Sequence, residues 1–302
     1  MKPQFLLIPL AIFLTACEDV RTEKYESGQV RLESRYEDGV KAGPEREFYE
    51  SGALKRELNY EAGQRTGEAR LYYETGGLEE KSTYVSGRLE GLVERFYKNG
   101  KLSYRAVYKD GKETGFPETF DESGEPATSG SFKDPRDGHS YEWIRIGNQV
   151  WYAENSAYAP ASGSLCLQCN NWGRLYDFEA AKVACPEPFK LPDDSDWQEL
   201  FGVAGKNPGT ALKAGFGWDP VKTYSDYGNG TDSLGFAAKA GGGHFAKAGV
   251  PQGERVFKDA GRRAYFWSES GKVATFRHDS PKASLEKFKP EHGASARCVL
   301  SK

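Results

Sequence analysis

The stretch that decides the fold of the first half of the chain covers residues 49–72 and reads YESGALKRELNYEAGQRTGEARLY. Its first four residues have turn composition, with Gly52 at a position that favours a positive φ. Residues 53–61 then alternate as a strand does, with Leu54 and Leu58 on one side and polar residues on the other. The stretch therefore predicts a turn followed by a half-buried β-strand.

The same pattern recurs every 24 residues across residues 25–124. Residues 62–67 are predicted to form a second turn and residues 68–73 a return strand, so that each unit is a β-hairpin. Because a lone hairpin is only marginally stable, several must stack to bury an apolar face. The sequence thus predicts an antiparallel meander of four hairpins. The repeat is carried by Tyr25, Tyr49, Tyr73 and Tyr97, by Gly39, Gly63, Gly87 and Gly111, and by Gly43, Gly67, Gly91 and Gly115.

These units resemble the MORN-variant repeat in their Tyr-x-x-Gly-x-Leu and Tyr-x-x-Gly-Lys-x-x-Gly phrases. The resemblance implies a repeat sheet that serves for spacing or for protein contact. Acidic and basic residues are nearly balanced in this block, which favours a solvated surface over a charged trap. Two interpretations stay open: a stalk without a ligand, and an aromatic stripe that binds a partner or a glycan.

The N-terminal residues predict export and lipidation. Residues 5–16 are apolar and follow Lys2; the stretch is shorter than the ~20 residues of a membrane span and matches a signal-peptide core. Leu14-Thr15-Ala16-Cys17 resembles the lipobox of bacterial lipoproteins. That resemblance implies cleavage before Cys17, diacylglycerol on its sulfur and an acyl chain on its amino group. An ordinary secretory signal is the alternative.

We therefore predict a signal peptide at residues 1–16 and a lipidated tether at residues 17–24, with the membrane as a partner. Several acyl chains hold a protein stably at a bilayer. Glu18, rather than aspartate, follows the cysteine and favours the outer membrane of the cell envelope, with the periplasmic or surface face undecided. The net charge of −3 with both signs mixed argues against a nucleic-acid partner.

A second domain is predicted from residue 134 onward, after a polar linker at residues 125–133. Its phrases resemble, in order, those of the Fibrobacter succinogenes major paralogous domain over residues 134–302. That family is similar to C-type-lectin-like folds, which implies an α+β domain with two helices, a small sheet and long loops. The phrases include Gly147-Asn148-Gln149-Val150-Trp151, Gly173-Arg174-Leu175-Tyr176, Leu191-Pro192-Asp193, Leu212-Lys213, Phe266-Trp267-Ser268 and Ala296-Arg297-Cys298.

Local composition agrees with this interpretation. Residues 177–184 are alanine-rich and predict a first helix, and Asp193 or Ser195 can cap a second helix that contains Trp197. Residues 205–253 are too irregular for repeated strands, and such long loops usually carry function. We expect them to bind a glycan or an envelope or extracellular protein. The candidate contacts are Trp218, Tyr224, Tyr227, Asn229, Asp232 and Phe245.

Four cysteines follow Cys17, which in an exported chain suggests two disulfides. The lectin-like resemblance implies a bond between Cys185 and Cys298, joining the first helix to the terminal strand, and leaves Cys166 and Cys169 as a local pair. Three alternatives are a zinc site, a redox-active pair and the reactive cysteine pair of a formylglycine-generating-type oxidase.

Neither a metal nor a catalytic site is predicted. Residues 226–232 place oxygen ligands near glycines, so calcium is an alternative to simple turn chemistry. The four histidines are scattered without triad or metal-ligand spacing. The sequence therefore favours a membrane-anchored envelope lipoprotein with a lectin-like head for adhesion or ligand recognition, without a cofactor. The rivals are a structural envelope protein with no ligand and an enzyme on the formylglycine-generating-type fold.

Overall fold

The computed structural model describes residues 18–166, 169–221, 228–246 and 255–301. The chain divides into two compact units, with the boundary between Pro126 and Ala127. No helix among the described residues has the length and apolar character that a membrane crossing requires.

The first unit is a single antiparallel sheet, as the repeat predicts. Consecutive strands pair as neighbours, and the short strand β7 lies in line with β8 beside β6. The strands are β1 (Glu18–Lys24), β2 (Val30–Glu37), β3 (Val40–Phe48), β4 (Leu54–Glu61), β5 (Gln64–Tyr72), β6 (Leu78–Val85), β7 (Arg88–Leu89), β8 (Gly91–Phe96), β9 (Leu102–Lys109) and β10 (Lys112–Thr119).

The turn between β4 and β5 is tighter than the sequence suggests. Ala62 and Gly63 have φ values of 47° and 78°, as in the two-residue turns whose twist matches that of the flanking strands. The predicted turn over residues 62–67 is therefore wrong in length, and β5 begins at Gln64. Gly67 lies instead at a register shift between β4 and β5, with φ of 71°. An irregularity of this kind bends the strand locally.

The tyrosine series ties neighbouring units together. Each hydroxyl donates a hydrogen bond of 2.7 Å to a backbone carbonyl 23 residues further along the chain. The partially buried rings thereby fix the spacing between successive turns, which explains why tyrosine recurs at these positions. The donors are Tyr25, Tyr49, Tyr73 and Tyr97, and the acceptors are the carbonyls of Phe48, Tyr72, Phe96 and Phe120.

A row of buried side chains crosses the middle of one sheet face. Directly paired residues of antiparallel strands share a face, and the pairings Ser34 with Glu45 and Glu45 with Leu58 start the row. Most of its members are small, so half-exposed neighbours on the same face can cover them. The row comprises Ser34, Glu45, Leu58, Ala69, Ser82, Val93 and Ala106.

Two predicted connecting segments contain strands. Glu18–Lys24, expected as part of the lipidated tether, form β1 and pair with β2 from Glu18 opposite Glu37 onward. In the predicted linker at residues 125–133, Ser129–Lys133 form β11 of the second unit. Both segments are polar, and their strand character comes from backbone pairing with a neighbour, which polar composition does not reveal.

The described residues of the second unit form two sheets and a separate two-stranded pair. The orders are β11-β12-β13-β23-β16 and β14-β15-β22-β19-β20-β21, with β17 paired to β18. The strands are β11 (Ser129–Lys133), β12 (Ser140–Ile146), β13 (Gln149–Tyr152), β14 (Ser164–Leu165), β15 (Leu175–Tyr176), β16 (Phe189–Lys190), β17 (Gly243–Ala246), β18 (Arg255–Lys258), β19 (Arg263–Trp267), β20 (Lys272–Arg277), β21 (Ala283–Lys287), β22 (Ala294–Ser295) and β23 (Val299–Leu300).

The helices are short: α1 (Cys169–Trp172), α2 (Phe178–Ala181), α3 (Asp194–Val203) and α4 (Pro208–Leu212). The second predicted helix is confirmed as α3, which Asp193 caps with its carboxylate on the backbone N–H groups of Ser195 and Asp196. The first predicted helix, over residues 177–184, is wrong in extent because α2 ends at Ala181. Asp177 caps α2.

Aromatic side chains fill the main core of the second unit. Trp151, Trp197, Phe236 and Phe266 pack at ring-centroid distances of 5.0 to 6.1 Å, and such pairs add to the stabilisation from burial. Phe236 comes from the long irregular region, so that region is anchored to the core between its surface segments. The lectin-like identity of this mainly β unit remains a prediction.

Candidate functional site

Trp218 anchors the loop that follows α4. Its side chain is 5% exposed, and its indole Nε1 donates to the carbonyl of Ala238 at 3.1 Å. Its backbone N–H donates to the side-chain Oδ1 of Asn229, also at 3.1 Å. Little of the indole is therefore open to a ligand, and the Asn229 amide oxygen is engaged in holding the loop. A ligand contact for either residue stays a prediction.

A buried lysine, which the sequence reasoning missed as a site residue, supports the same loop. The Lys213 Nζ donates to the carbonyls of Gly228 and Arg277, each at 3.0 Å, and lies 5.0 Å from the Trp218 ring centroid. Burial lowers the pKa of Lys213 to about 8, because desolvation penalises the charged form. The side chain thus ties together the end of α4, the segment at residue 228 and the end of β20.

Asp232 and Phe245 also have structural partners. Asp232 has φ of 48°, and its Oδ1 accepts the backbone N–H of Ala237 at 2.7 Å. Phe245 packs against Tyr265, Phe288 and His292 at centroid distances of 6.1, 5.8 and 5.1 Å. The geometry gives the carboxylate a turn-forming role and the ring a packing role.

The remaining predicted contacts, Tyr224 and Tyr227, lie outside the described residues, as does Asp226 of the calcium alternative. Within the described part of the chain, no group of three or more His, Cys, Asp or Glu side chains has the arrangement of a metal site. Calcium binding at residues 226–232 therefore stays a prediction.

Among the described residues of this region, the most exposed aromatic ring is one that the sequence reasoning did not single out. Phe216 is 69% exposed, between Gly215 and Gly217 in the braced loop. Three residues further, the Asp219 carboxylate accepts from Arg262 Nε at 3.3 Å. The His278 ring lies 3.3 Å from the Asp219 carbonyl. This segment therefore carries an exposed apolar ring and, three residues further along the chain, charged hydrogen-bonding groups, a combination that suits a ligand with both polar and apolar surface.

A buried arginine fastens this region to the end of the chain. Arg297 is fully buried, with Nη2 at 2.6 Å from Asn155 Oδ1 and Nη1 at 3.1 Å from the Tyr152 carbonyl. The same guanidinium also donates to the carbonyl of Phe236. Burial lowers the pKa of Arg297 to about 9. The partners are up to 145 residues apart in sequence, which is why no local signal reveals this network.

The predicted long disulfide is confirmed. Cys185 and Cys298 are bonded, with their Cα atoms 5.6 Å apart, and Cys298 is completely buried. Cys298 therefore takes part in a buried cross-link between the segment after α2 and the residue before β23. Cys166 is also in a disulfide. The side chain of its predicted partner, Cys169, is not among those that the structure describes, so the Cys166–Cys169 pairing stays a prediction.

Comparison with known families matches both halves of the chain. The MORN repeat variant matches residues 41–62, 65–86 and 89–110, within the predicted block of residues 25–124. The Fibrobacter succinogenes major domain matches residues 144–300. Neither is a known enzyme family, and no curated protein matches the chain. Since the second match covers more than half of the chain, the protein belongs to the Fibrobacter succinogenes major domain family.

Proposed function

We propose that this protein is a lipid-anchored envelope protein in which the repeat sheet is a spacer and the second unit is a lectin-like binding head. The proposal joins the lipobox at Cys17 to the two matched families, which suggest a surface or binding protein. Its ligand would be a glycan or a protein of the envelope or of the extracellular side, bound without a cofactor.

The observation that carries the proposal is where the chain enters and leaves the sheet. Glu18 lies beside Glu37, next to the turn at Asp38 and Gly39. At the opposite edge of the sheet, β10 runs away from the end of the strands where that turn lies. Phe120, which follows β10, forms a bridge with Pro126 at the other end of the strands. Entry and exit therefore lie at diagonally opposite corners. Strand length separates them by about 26 Å and sheet width by about 38 Å.

A sheet with this arrangement is a better spacer than a flexible linker. A lipid on Cys17 would be adjacent to the first paired residue of β1, so the sheet would begin at the membrane surface. The hydrogen-bonded strands hold the exit corner at a fixed distance from that point, whereas a Gly/Ser-type tether would sample a broad range of distances.

Removal of residues 49–96 tests the spacer. The cut deletes two whole units and joins Phe48 to Tyr97 in register, so the sheet should narrow by four strands, about 19 Å. With a dye on an engineered Glu291→Cys and acceptor lipids in the membrane, energy transfer should rise. A variant with residues 49–96 duplicated is the matched control and should show lower transfer. Equal transfer in all three proteins would reject the spacer.

Lipidation is tested separately by Cys17→Ser. A clickable fatty acid should label the wild-type protein in cells and not the variant, and the variant should be lost from the membrane fraction. Equal labelling of both proteins would show that the anchor is elsewhere.

Binding by the head is tested with Phe216→Ala in the chain from Glu18 to Lys302, screened against a polysaccharide array. Loss of an exposed aromatic contact should weaken binding of any captured glycan by about tenfold. Val203→Ala, a change at an exposed apolar residue of α3, is the control and should leave binding unchanged. An array with no captured glycan, together with no captured envelope protein, would favour the structural rival.

A further inference from the structure

Internal repetition makes one charge on the sheet stand out. Lys41 of the first unit corresponds to Arg65 of the second, 24 residues later, and Glu45 corresponds to Ala69. In the first unit the Lys41 ammonium pairs with the Glu45 carboxylate, which also accepts from Ser34 Oγ at 2.8 Å. In the second unit the cation is kept while the carboxylate is replaced by a methyl group.

Arg65 consequently has aromatic partners and no acidic one. It is the cross-strand partner of Tyr60, and its guanidinium lies 5.5 Å from the Tyr84 ring centroid. The neighbouring phenol of Tyr60, together with that of Tyr84, raises the pKa of Arg65, so it stays charged. No carboxylate in the described part of the sheet forms an ion pair with it. Ala69 is 7% exposed and paired with Ser82. This part of the face therefore carries a methyl and a hydroxyl group, whereas the equivalent part of the first unit carries the Glu45 carboxylate.

The surroundings repeat across the sheet. Tyr36, Tyr60 and Tyr84 occur two strands apart, a spacing of about 9.6 Å. Arg21 and Lys41 lie over the rings of Tyr36 and Tyr60 at 4.1 and 4.9 Å. These two cations already have acidic partners, Asp19 and Glu45. Arg65 is therefore the member of this aromatic–cationic row that is left to pair with a carboxylate from outside the chain.

We propose that Tyr60, Arg65 and Tyr84 form a binding site for a carboxylate-bearing polysaccharide, such as a polymer of uronic acid. A guanidinium binds a carboxylate through two parallel hydrogen bonds, and the phenols can hydrogen-bond to neighbouring sugar hydroxyls. A regular polymer matches a surface whose tyrosines recur at a regular spacing. This site is on the repeat sheet and does not depend on a ligand for the head.

The test is binding of polygalacturonate to the chain from Glu18 to Lys302, with neutral dextran for comparison. Arg65→Leu should weaken binding by about tenfold, the effect of one charge-assisted contact. Arg46→Leu is the matched control, because Arg46 is on the other face and pairs with Glu57 at 3.0 Å; it should leave binding unchanged. Added salt should weaken wild-type binding and have little effect on the Arg65 variant.

Two exchanges between units sharpen the test. Ala69→Glu supplies the acid of the first unit and should suppress binding as Arg65→Leu does. Glu45→Ala leaves Lys41 without its acid and should strengthen binding; this gain keeps the test decisive if the Ala69 variant fails to fold. Equal polygalacturonate binding by wild type and Arg65→Leu would overturn the proposal. The proposal would also be overturned if Arg65 were required for binding to vesicles of anionic phospholipid while the protein did not bind polygalacturonate.

Discussion

Removal of the Cys185–Cys298 disulfide should destabilise the second unit more than any single surface change. The bond joins residues 113 positions apart and closes a loop that contains α3, α4 and residues 205–253. In the chain-entropy description, closing a loop of this length lowers the entropy of the unfolded chain enough to stabilise the fold by about 5 kcal/mol. A typical domain is stable by only ~5–15 kcal/mol. The double variant Cys185→Ala/Cys298→Ala should therefore lose a large part of its free energy of unfolding.

Urea denaturation followed by tryptophan fluorescence measures this effect in one unit. All six tryptophans lie between residues 143 and 267, so the signal reports on the second unit and not on the repeat sheet. With a slope of ~1–3 kcal/mol per molar urea, the midpoint should fall by about 2 M or more. Wild-type protein with both of these cysteines reduced should behave like the variant. A free energy of unfolding within about 1 kcal/mol of the wild-type value would refute the reasoning.

Three further changes probe other parts of the fold. Gly63→Val places a branched side chain at φ of 78° and 3.3 Å from a Val40 methyl, so it should destabilise the sheet by about 1 kcal/mol or more. Gly77→Ala is the control, because this glycine has no positive φ, and it should not destabilise the sheet. Melting followed by circular dichroism measures both effects. Tyr73→Phe removes a hydrogen bond between units and should cost about 1 kcal/mol by the same measurement; an unchanged midpoint would contradict the tie. His292 has its pKa lowered by burial and accepts the Ala246 N–H at Nδ1, so its contribution to stability is complete above the unfolded pKa of about 6.5 and is lost as pH falls below it. Between pH 7.5 and pH 5, wild type should therefore lose more stability than His292→Asn, and equal losses would exclude this histidine as the cause.

The repeat sheet could be predicted because its information is local. Period-two alternation defines each strand, and glycine at fixed intervals defines the turns, so four hairpins in sequence order follow from the residues. The exact turn length did not follow, because Ala62 adopts positive φ in a turn whose geometry is set by strand pairing on both sides. For the same reason β1 and β11, two polar segments, were not recognised as strands.

The sequence by itself determined the two-part organisation, the order of the hairpins, the cap of α3 and, through family resemblance, the Cys185–Cys298 bond. Only the tertiary structure decided which residues of the long loops face outward. Trp218 looked like a ligand contact but is buried against Lys213, while Phe216, two residues earlier, is exposed. Both rings are large and apolar, so residue type alone favours the burial of either one. Which of them enters it depends on partners as distant as Arg277 and Ala238, and contacts of that range have no signature in the local sequence.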